Sequence, residues 1–495
     1  LRIPNVGASD LTRLDPASGP DSNSNMVIGM VFSGLVKTDQ NLNVEPDQAT
    51  WTVSDDNKVY TFHLKSGLTF SDGTPVTAQT YVDSWTRALL PSVKSPTAPV
   101  LMQNIVGASA VNAGKSTTLT GVKALNPQTL QVTLTQPTAY FLQLLTVSLF
   151  YPINLNVVNK YGQTAWVQHA AGSGIGTGPF IIKSWTPGSM VFVPNTHYYG
   201  AHTKLKEVDM TFVNDPSTAL NSYRAGQYDL TWDIASTDQP TVQNTPGFER
   251  KPILETDSLF FDNKTAPFNN TAVRQAFAYA IDKSELAKAL FNNTVTPANT
   301  IVPPGEPGAQ PNFAGLTFNQ TKARALLQSV YPDVSKMPTV TFSYPSSQVT
   351  PEEAAALQQM WKSALGVQVR LNGMELAAYN NATETHTVQF GFTQWGVYFP
   401  DPYEWLDQSL LSNSPNNNGF WSNAQFDQDV TQAEQTSGNA RIALYQKAEQ
   451  IAIDQVGWLP LFHESMAAII SSKVHGVQLS GRGLYFGDWS GVYLT

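Results

Sequence analysis

The residues best suited to gripping a small molecule fall in one aromatic run. Trp395, Tyr398, Phe399, Tyr403 and Trp405 surround Gly391, Gly396, Pro400 and Pro402. Glycine and proline interrupt regular structure and let a backbone approach a ligand, while the rings offer flat apolar faces. The same run would also pack a core. Noncovalent binding is the chemistry these residue types support.

Motifs for bond-making chemistry fail one by one. Gly114-Lys115-Ser116 imitates the end of a phosphate-binding loop, but Ser109 stands where the loop needs its first glycine. The cluster Gly172, Gly174, Gly176 and Gly178 misses the dinucleotide spacing, and Pro179 stops a helix from starting there, so a turn before a strand is expected. His463-Glu464 begins like a zinc-protease helix, yet Ala467 occupies the second ligand position. His197 and His202 lack the same-face spacing of metal ligands on a helix. No Gly-x-Ser-x-Gly elbow and no Ser-x-x-Lys pair occurs. No catalytic residue, metal site or cofactor is therefore expected. A carboxylate pair for glycoside cleavage is a three-dimensional property, and Glu375, Glu404 and Glu464 are the candidates for it.

Composition narrows the class. The chain has 495 residues, 41% hydrophobic and 14% charged, with a net charge of -9. This describes a folded multidomain protein that repels polyphosphate, so nucleic acid is excluded as an expected partner. Zero cysteines remove disulfides and thiolate chemistry, and suit an exported protein. The most apolar stretch, Tyr140 to Ile153, is broken by Gln143, Thr146, Ser148 and Pro152, which predicts a buried helix and loop and no membrane span. The chain starts at Leu1 without a signal core, and the expectation is that a targeting segment has been removed.

The elements that must position the aromatic run follow from periodicity. Alternation over Thr52 to Phe70 and Leu119 to Leu134 predicts short antiparallel strands, with a turn at Asn126-Pro127. Phe180-Ile181-Ile182 and Met190 to Val193 flank Thr186-Pro187-Gly188-Ser189, which predicts a hairpin. Past residue 256 the pattern becomes mixed. Helices are predicted over 271 to 291, with Asp282 and Glu285 as a cap pair. Thr339 to Tyr344 reads as a strand; Thr350-Pro351-Glu352-Glu353 opens a helix as a capping box; Leu357, Met360, Trp361, Ala364 and Leu365 form its apolar face. Gly366 then ends it, and Val367, Val369 and Leu371 begin the next strand. That is a βαβ unit, whose strands must pair in parallel.

The order of segments resembles the extracellular solute-binding proteins of the peptide/nickel family, the receptors of ATP-binding-cassette (ABC) importers. Met30-Val31-Phe32-Ser33-Gly34-Leu35-Val36 matches an early phrase of that family. Leu64-Lys65-Ser66-Gly67-Leu68-Thr69-Phe70-Ser71-Asp72-Gly73-Thr74-Pro75-Val76 matches its most specific signature, and Tyr81-Val82-Asp83-Ser84-Trp85 continues it. Gly178-Pro179-Phe180, Pro267-Phe268, Val273 to Asp282, Val302-Pro303-Pro304-Gly305, Leu459-Pro460-Leu461 and Val474-His475-Gly476-Val477 follow in the family's order. The resemblance runs nearly end to end.

It implies an α/β fold with two lobes, hinge crossovers and an extra α+β domain packed on the first lobe. Lobe I is expected to take 1–40, 170–255 and 475–495, the extra domain 41–169, and lobe II 256–474. It also implies capture of a peptide or similar solute by hinge closure over a cleft, read by ABC permease subunits in the membrane. The protein is then a monomer without enzymatic activity, extracellular or periplasmic. Lipid attachment through an N-terminal segment removed from this chain is a further hypothesis.

In peptide-binding members an extended ligand pairs with backbone near the segment matching Thr393-Gln394-Trp395-Gly396, and an Asp holds its α-amino group. Here Tyr398 stands in place of that Asp, and Phe392 where some oligopeptide binders have Arg. A one-residue slip would return Asp401 to the role. Without the ionic clamp, an oligosaccharide becomes a competing ligand, since rings pack on sugars and amides satisfy hydroxyls. The expected ligand-binding residues are Ser33, Leu35, Asn263, Gln394, Trp395, Gly396, Tyr398, Phe399, Asp401 and Trp421. The competing classes are a secreted hydrolase using two carboxylates, and a signalling receptor or chaperone on the same scaffold.

Overall fold

The βαβ unit forms as its pattern requires in the computed structural model, which describes all 495 residues. Strands Val340–Pro345 and Val369–Met374 run parallel, joined by helix Pro351–Leu365. Thr350 caps that helix by accepting the Glu353 N–H at 3.1 Å, and Gly366 ends it at φ 73°, a left-handed conformation that glycine adopts without penalty. Only half of the expected capping box forms, because the Glu353 carboxyl lies near Glu464 instead of reaching back to the cap.

The chain divides into two units, Leu1–Lys251 with Met466–Thr495, and Pro252–Ser465. It passes between them twice, each time within a strand: Phe248–Phe261 and Trp458–Ile470.

In the first unit one sheet has the order Arg2–Val6, Val208–Val213, Ser189–Pro194, Phe180–Thr186. Its last two strands are the expected hairpin, with Gly188 at φ 74° in the turn. A second, antiparallel sheet has the order Ala49–Val53, Val59–Leu64, Thr129–Thr133, Val122–Asn126. Helix Ala78–Leu89 packs on it and anchors through the Trp85 indole N–H, which donates to the Phe150 carbonyl at 2.9 Å. The stretch Tyr140 to Ile153 is a short helix and a 3-10 turn, buried as expected. The glycine cluster sits where backbones touch: a Cβ on Gly176 would lie 2.0 Å from the Val31 carbonyl oxygen, and one on Gly178 2.5 Å from the Val31 carbonyl carbon. Those glycines let the backbone pass close against Met30 to Phe32.

In the second unit, Trp458–Ile470, Phe248–Phe261, Phe390–Gly396, Val340–Pro345 and Val369–Met374 are successive neighbours in one sheet. Phe261, Phe268, Phe277, Phe342, Trp361 and Phe390 pack in one continuous ring cluster on it, with centroid separations from 4.8 to 6.4 Å. Much of the aromatic content is thus core. No helix is long and apolar enough to cross a membrane.

Candidate functional site

Strand Phe390–Gly396 changes character along its length. Phe390 and Gly391 have strand neighbours on both sides, Phe261 and Phe260 on one and Phe342 and Ser343 on the other. The pairing with Val340–Pro345 ends at Gly391. Thr393, Gln394, Trp395 and Gly396 are paired only with Ser258, Asp257, Thr256 and Glu255. Their other flank has no strand neighbour, so it carries peptide groups free of any ladder.

Side-chain alternation sorts this patch into two faces. On one lie Trp395 and Thr256. The Trp395 indole N–H donates to the Glu404 carbonyl at 2.8 Å, and its ring meets Trp458 at 5.7 Å. The Thr256 hydroxyl bonds His463 Nδ1 at 2.9 Å, and Thr300 bonds His463 Nε2 at 3.2 Å. Burial, with Lys283 nearby, lowers the His463 pKa to about 3, so the ring is neutral. Lys283 is buried with its ammonium donating to the Ala298 carbonyl at 2.6 Å, and burial lowers its pKa to about 7.

The other face carries Gln394, Asp257 and Glu255, with Glu464 hydrogen-bonded to Asp257 from the adjacent strand. Gln348 donates to the Gln394 side-chain oxygen at 3.2 Å. Asp257 is only 7% exposed, and its Oδ1 has no hydrogen-bond partner. Burial first, then the charges of Glu464, Glu255 and Glu353, hold its carboxyl well above the usual range. Glu353 is pushed up to about 7 by burial and by Glu464.

The other expected residues divide by environment. Tyr398 is 45% exposed, and its N–H donates to Glu404 Oε2 at 3.1 Å; Gln394 and Gly396 are also exposed. Phe399, Trp421 and Leu35 are buried, Trp421 against Phe426. Asn263 uses its amide on the Phe261 and Gly419 carbonyls, at 2.7 and 3.0 Å. Asp401 is occupied: Arg441 grips both its oxygens at 2.5 and 2.9 Å, and it caps helix Pro402–Leu410 through the Tyr403 N–H. These contacts hold both carboxylate oxygens within the protein.

In the first unit Ser33 is part of a buried polar cluster. Its N–H donates to the Thr177 hydroxyl at 3.2 Å, and its carbonyl accepts from Thr177 and the Gln48 amide. Tyr81 donates to Gln48 at 2.7 Å, and Tyr199 to Asp47 at 2.6 Å.

Of the three hydrolase candidates, Glu375 caps helix Leu376–Glu384 through the Ala377 and Ala378 N–H groups, and Glu404 accepts the Tyr398 N–H. Glu464 shares a hydrogen bond with Asp257. The charged group missed in the sequence is Asp257. Its signal was present: Glu255 and Asp257 fall on one face of a segment that continues as Leu259-Phe260-Phe261, an unusual place for paired charges.

Comparison with known proteins agrees with this architecture. Residues 43–417 match the model of the bacterial extracellular solute-binding proteins, family 5 Middle. The chain is 33% identical over 487 residues to the probable deoxycholate-binding periplasmic protein YgiS of Escherichia coli (strain K12), covering 95% of this chain and 89% of that one. It is 30% identical over 492 residues to the oligopeptide-binding protein OppA of Bacillus subtilis (strain 168), covering 96% and 89%. The solved structure of the Escherichia coli murein tripeptide binding protein MppA superposes with a TM-score of 0.82 at 27% identity, covering 100% of this chain and 98% of that one. The α/β fold expected from the sequence is the one these proteins share.

Proposed function

We propose, from the premise that this chain belongs to the bacterial extracellular solute-binding proteins of family 5, that it is the peptide-capturing receptor of an ABC importer. The observation that carries the peptide reading is the one-sided strand Thr393–Gly396. An extended peptide supplies the missing ladder with its own main chain, and main-chain pairing is indifferent to side-chain sequence. Relatives named for oligopeptides and a murein tripeptide support it.

Gln394, Gly396 and Tyr398 are the proposed contacts beside that edge, with Trp395 as a partly exposed wall. Ser33 is kept as a polar contact of the first unit. Leu35, Phe399 and Trp421 then act as buried packing, each within its own unit, and Asn263 and Asp401 as braces. Binding is reversible and noncovalent, with no turnover. Delivery to membrane permease subunits, export to the periplasm or cell exterior, a monomeric state and lipid attachment belong to the same proposal. So does a separate extra domain over 41–169, for which the distinct antiparallel sheet within that span is the support.

Amide hydrogen exchange tests the edge. A bound tripeptide pool is expected to slow exchange at Thr393–Gly396, and unchanged exchange there under saturating peptide contradicts the reading. The relative named for deoxycholate supplies a second reading, a bulky amphipathic solute. None of the groups acting most strongly on Asp257 beside Gln394 is a cation that would pair with an anion of that kind.

A further inference from the structure

A second, independent feature lies beside the proposed edge. Asp257 and Gln394 are cross-strand partners, so their side chains share a face. Glu464 hydrogen-bonds to Asp257 from the neighbouring strand, and Glu353 reaches the cluster from the first turn of helix Pro351–Leu365. The charged groups acting most strongly on Asp257 are Glu464, Glu255 and Glu353, all carboxylates. Asp257 Oδ1 is buried and has no partner within the protein.

A buried carboxyl oxygen with no partner, as Asp257 Oδ1 is, has two stable conditions. The carboxyl holds a proton, or it receives a donor from outside. No three acidic or histidine groups converge in a way that would hold a metal ion. A compact organic cation with several N–H donors fits better, since it can bond Oδ1 and a neighbouring carboxylate together. Glu255 and Glu464 are partly exposed above Asp257, and Gln394 is exposed beside it, which gives such a group a way in.

We propose that Asp257, flanked by Glu464 and Glu353 and set beside Gln394, receives a primary ammonium group of the captured solute. This rests on capture at the Thr393–Gly396 edge and adds the chemical class of what is captured. Ammonium binding favours the ionised carboxyl, so it displaces the proton that burial and the neighbouring carboxylates favour on the empty site. Affinity then rises as pH rises through the raised folded-state pKa of the cluster.

The test is calorimetric titration of the full chain with a lysine-containing tripeptide pool, and with the same pool acetylated at every amine. Wild type is expected to bind the free pool about ten-fold or more tightly than the acetylated pool, with proton release at neutral pH. Pools acetylated only at the amino terminus or only on lysine tell which amine is read. Asp257→Asn is expected to bind both pools alike while melting no lower than wild type, and Glu464→Gln to reduce the discrimination. Equal binding of both pools by wild type overturns the ammonium site and leaves peptide capture standing. So does discrimination that survives in Asp257→Asn, or calcium chloride binding at the cluster while the amine makes no difference. Failure of both pools to bind overturns the capture reading and the ammonium site with it.

Discussion

Asp257 and Gln394 stand opposite each other on antiparallel strands, one a buried carboxyl and the other an exposed amide on the same face. The pairing places an unusual electrostatic patch directly against the strand segment Thr393–Gly396, which is paired on one side only. The consequences can be separated residue by residue.

Tyr398 distinguishes binding from folding. Its side chain is 45% exposed, so Tyr398→Ala is expected to change unfolding free energy by no more than about 0.5 kcal/mol. Peptide affinity is expected to fall about three- to ten-fold, because an aromatic face beside the site is lost. Calorimetric titration and denaturant unfolding on the same samples check this; unchanged affinity removes Tyr398 from the site.

Asp401 behaves oppositely. Arg441 and Asp401 form a buried, two-pronged ion pair, and removing one partner leaves the other charge uncompensated. Arg441→Ala is expected to destabilise by about 3–5 kcal/mol. Asp401→Asn is expected to lower the melting temperature while keeping any preference for free amines. Loss of that preference with normal melting would reassign Asp401 to the ligand.

Glu353 and His463 make opposite contributions to the pH dependence of stability. Between its ordinary 4.5 and its folded value of about 7, Glu353 holds a proton that the unfolded chain releases. Its contribution is full below 4.5 and falls as pH rises through that window, by on the order of 3 kcal/mol. His463 is neutral when folded, with a pKa of about 3 against an ordinary 6.5, so its contribution is present above 6.5 and falls as pH drops. The two slopes oppose each other between 4.5 and 6.5. Urea unfolding across this range is expected to show a stronger acid-side loss in Glu353→Gln and a weaker one in His463→Ala. Identical slopes in both variants and wild type contradict the assignment.

Gly178 tests the close packing in the first unit. An added Cβ would lie 2.5 Å from the Val31 carbonyl carbon and 2.6 Å from the Met30 carbonyl oxygen, both backbone atoms that cannot rotate away. Gly178→Ala is expected to lower stability by about 3 kcal/mol or more. Gly172→Ala is a poor control because of its positive φ, whereas Gly29→Ala meets nothing within 4 Å and is expected to be tolerated. Circular-dichroism melts of the two alanine variants compare them directly.

Local pattern foretold much of this structure. The hairpin around Pro187-Gly188, the helix opened by Thr350 and closed by Gly366, and the parallel strands on either side of it all follow from turn chemistry and periodicity. The exposed end of the aromatic run was legible too, because Gly396 and the prolines break the strand near Tyr398. What could not be read was the partner of each charge. Asp401 meets Arg441 from 40 residues away, and Asp257 meets Glu464 across a strand boundary. Such pairings depend on tertiary register, which one-dimensional spacing does not encode. Glu353 shows the same limit: its place in a capping box was a local inference, overridden by a nonlocal neighbour.

The central claim is reversible capture of a peptide, and native mass spectrometry tests it most directly. The protein is incubated with a tripeptide pool, deoxycholate and an oligosaccharide mixture, and bound species are released and weighed. The account predicts a one-to-one complex with peptide, recovered chemically intact after release. Cleaved peptide, or a complex formed only with deoxycholate or the sugars, contradicts it.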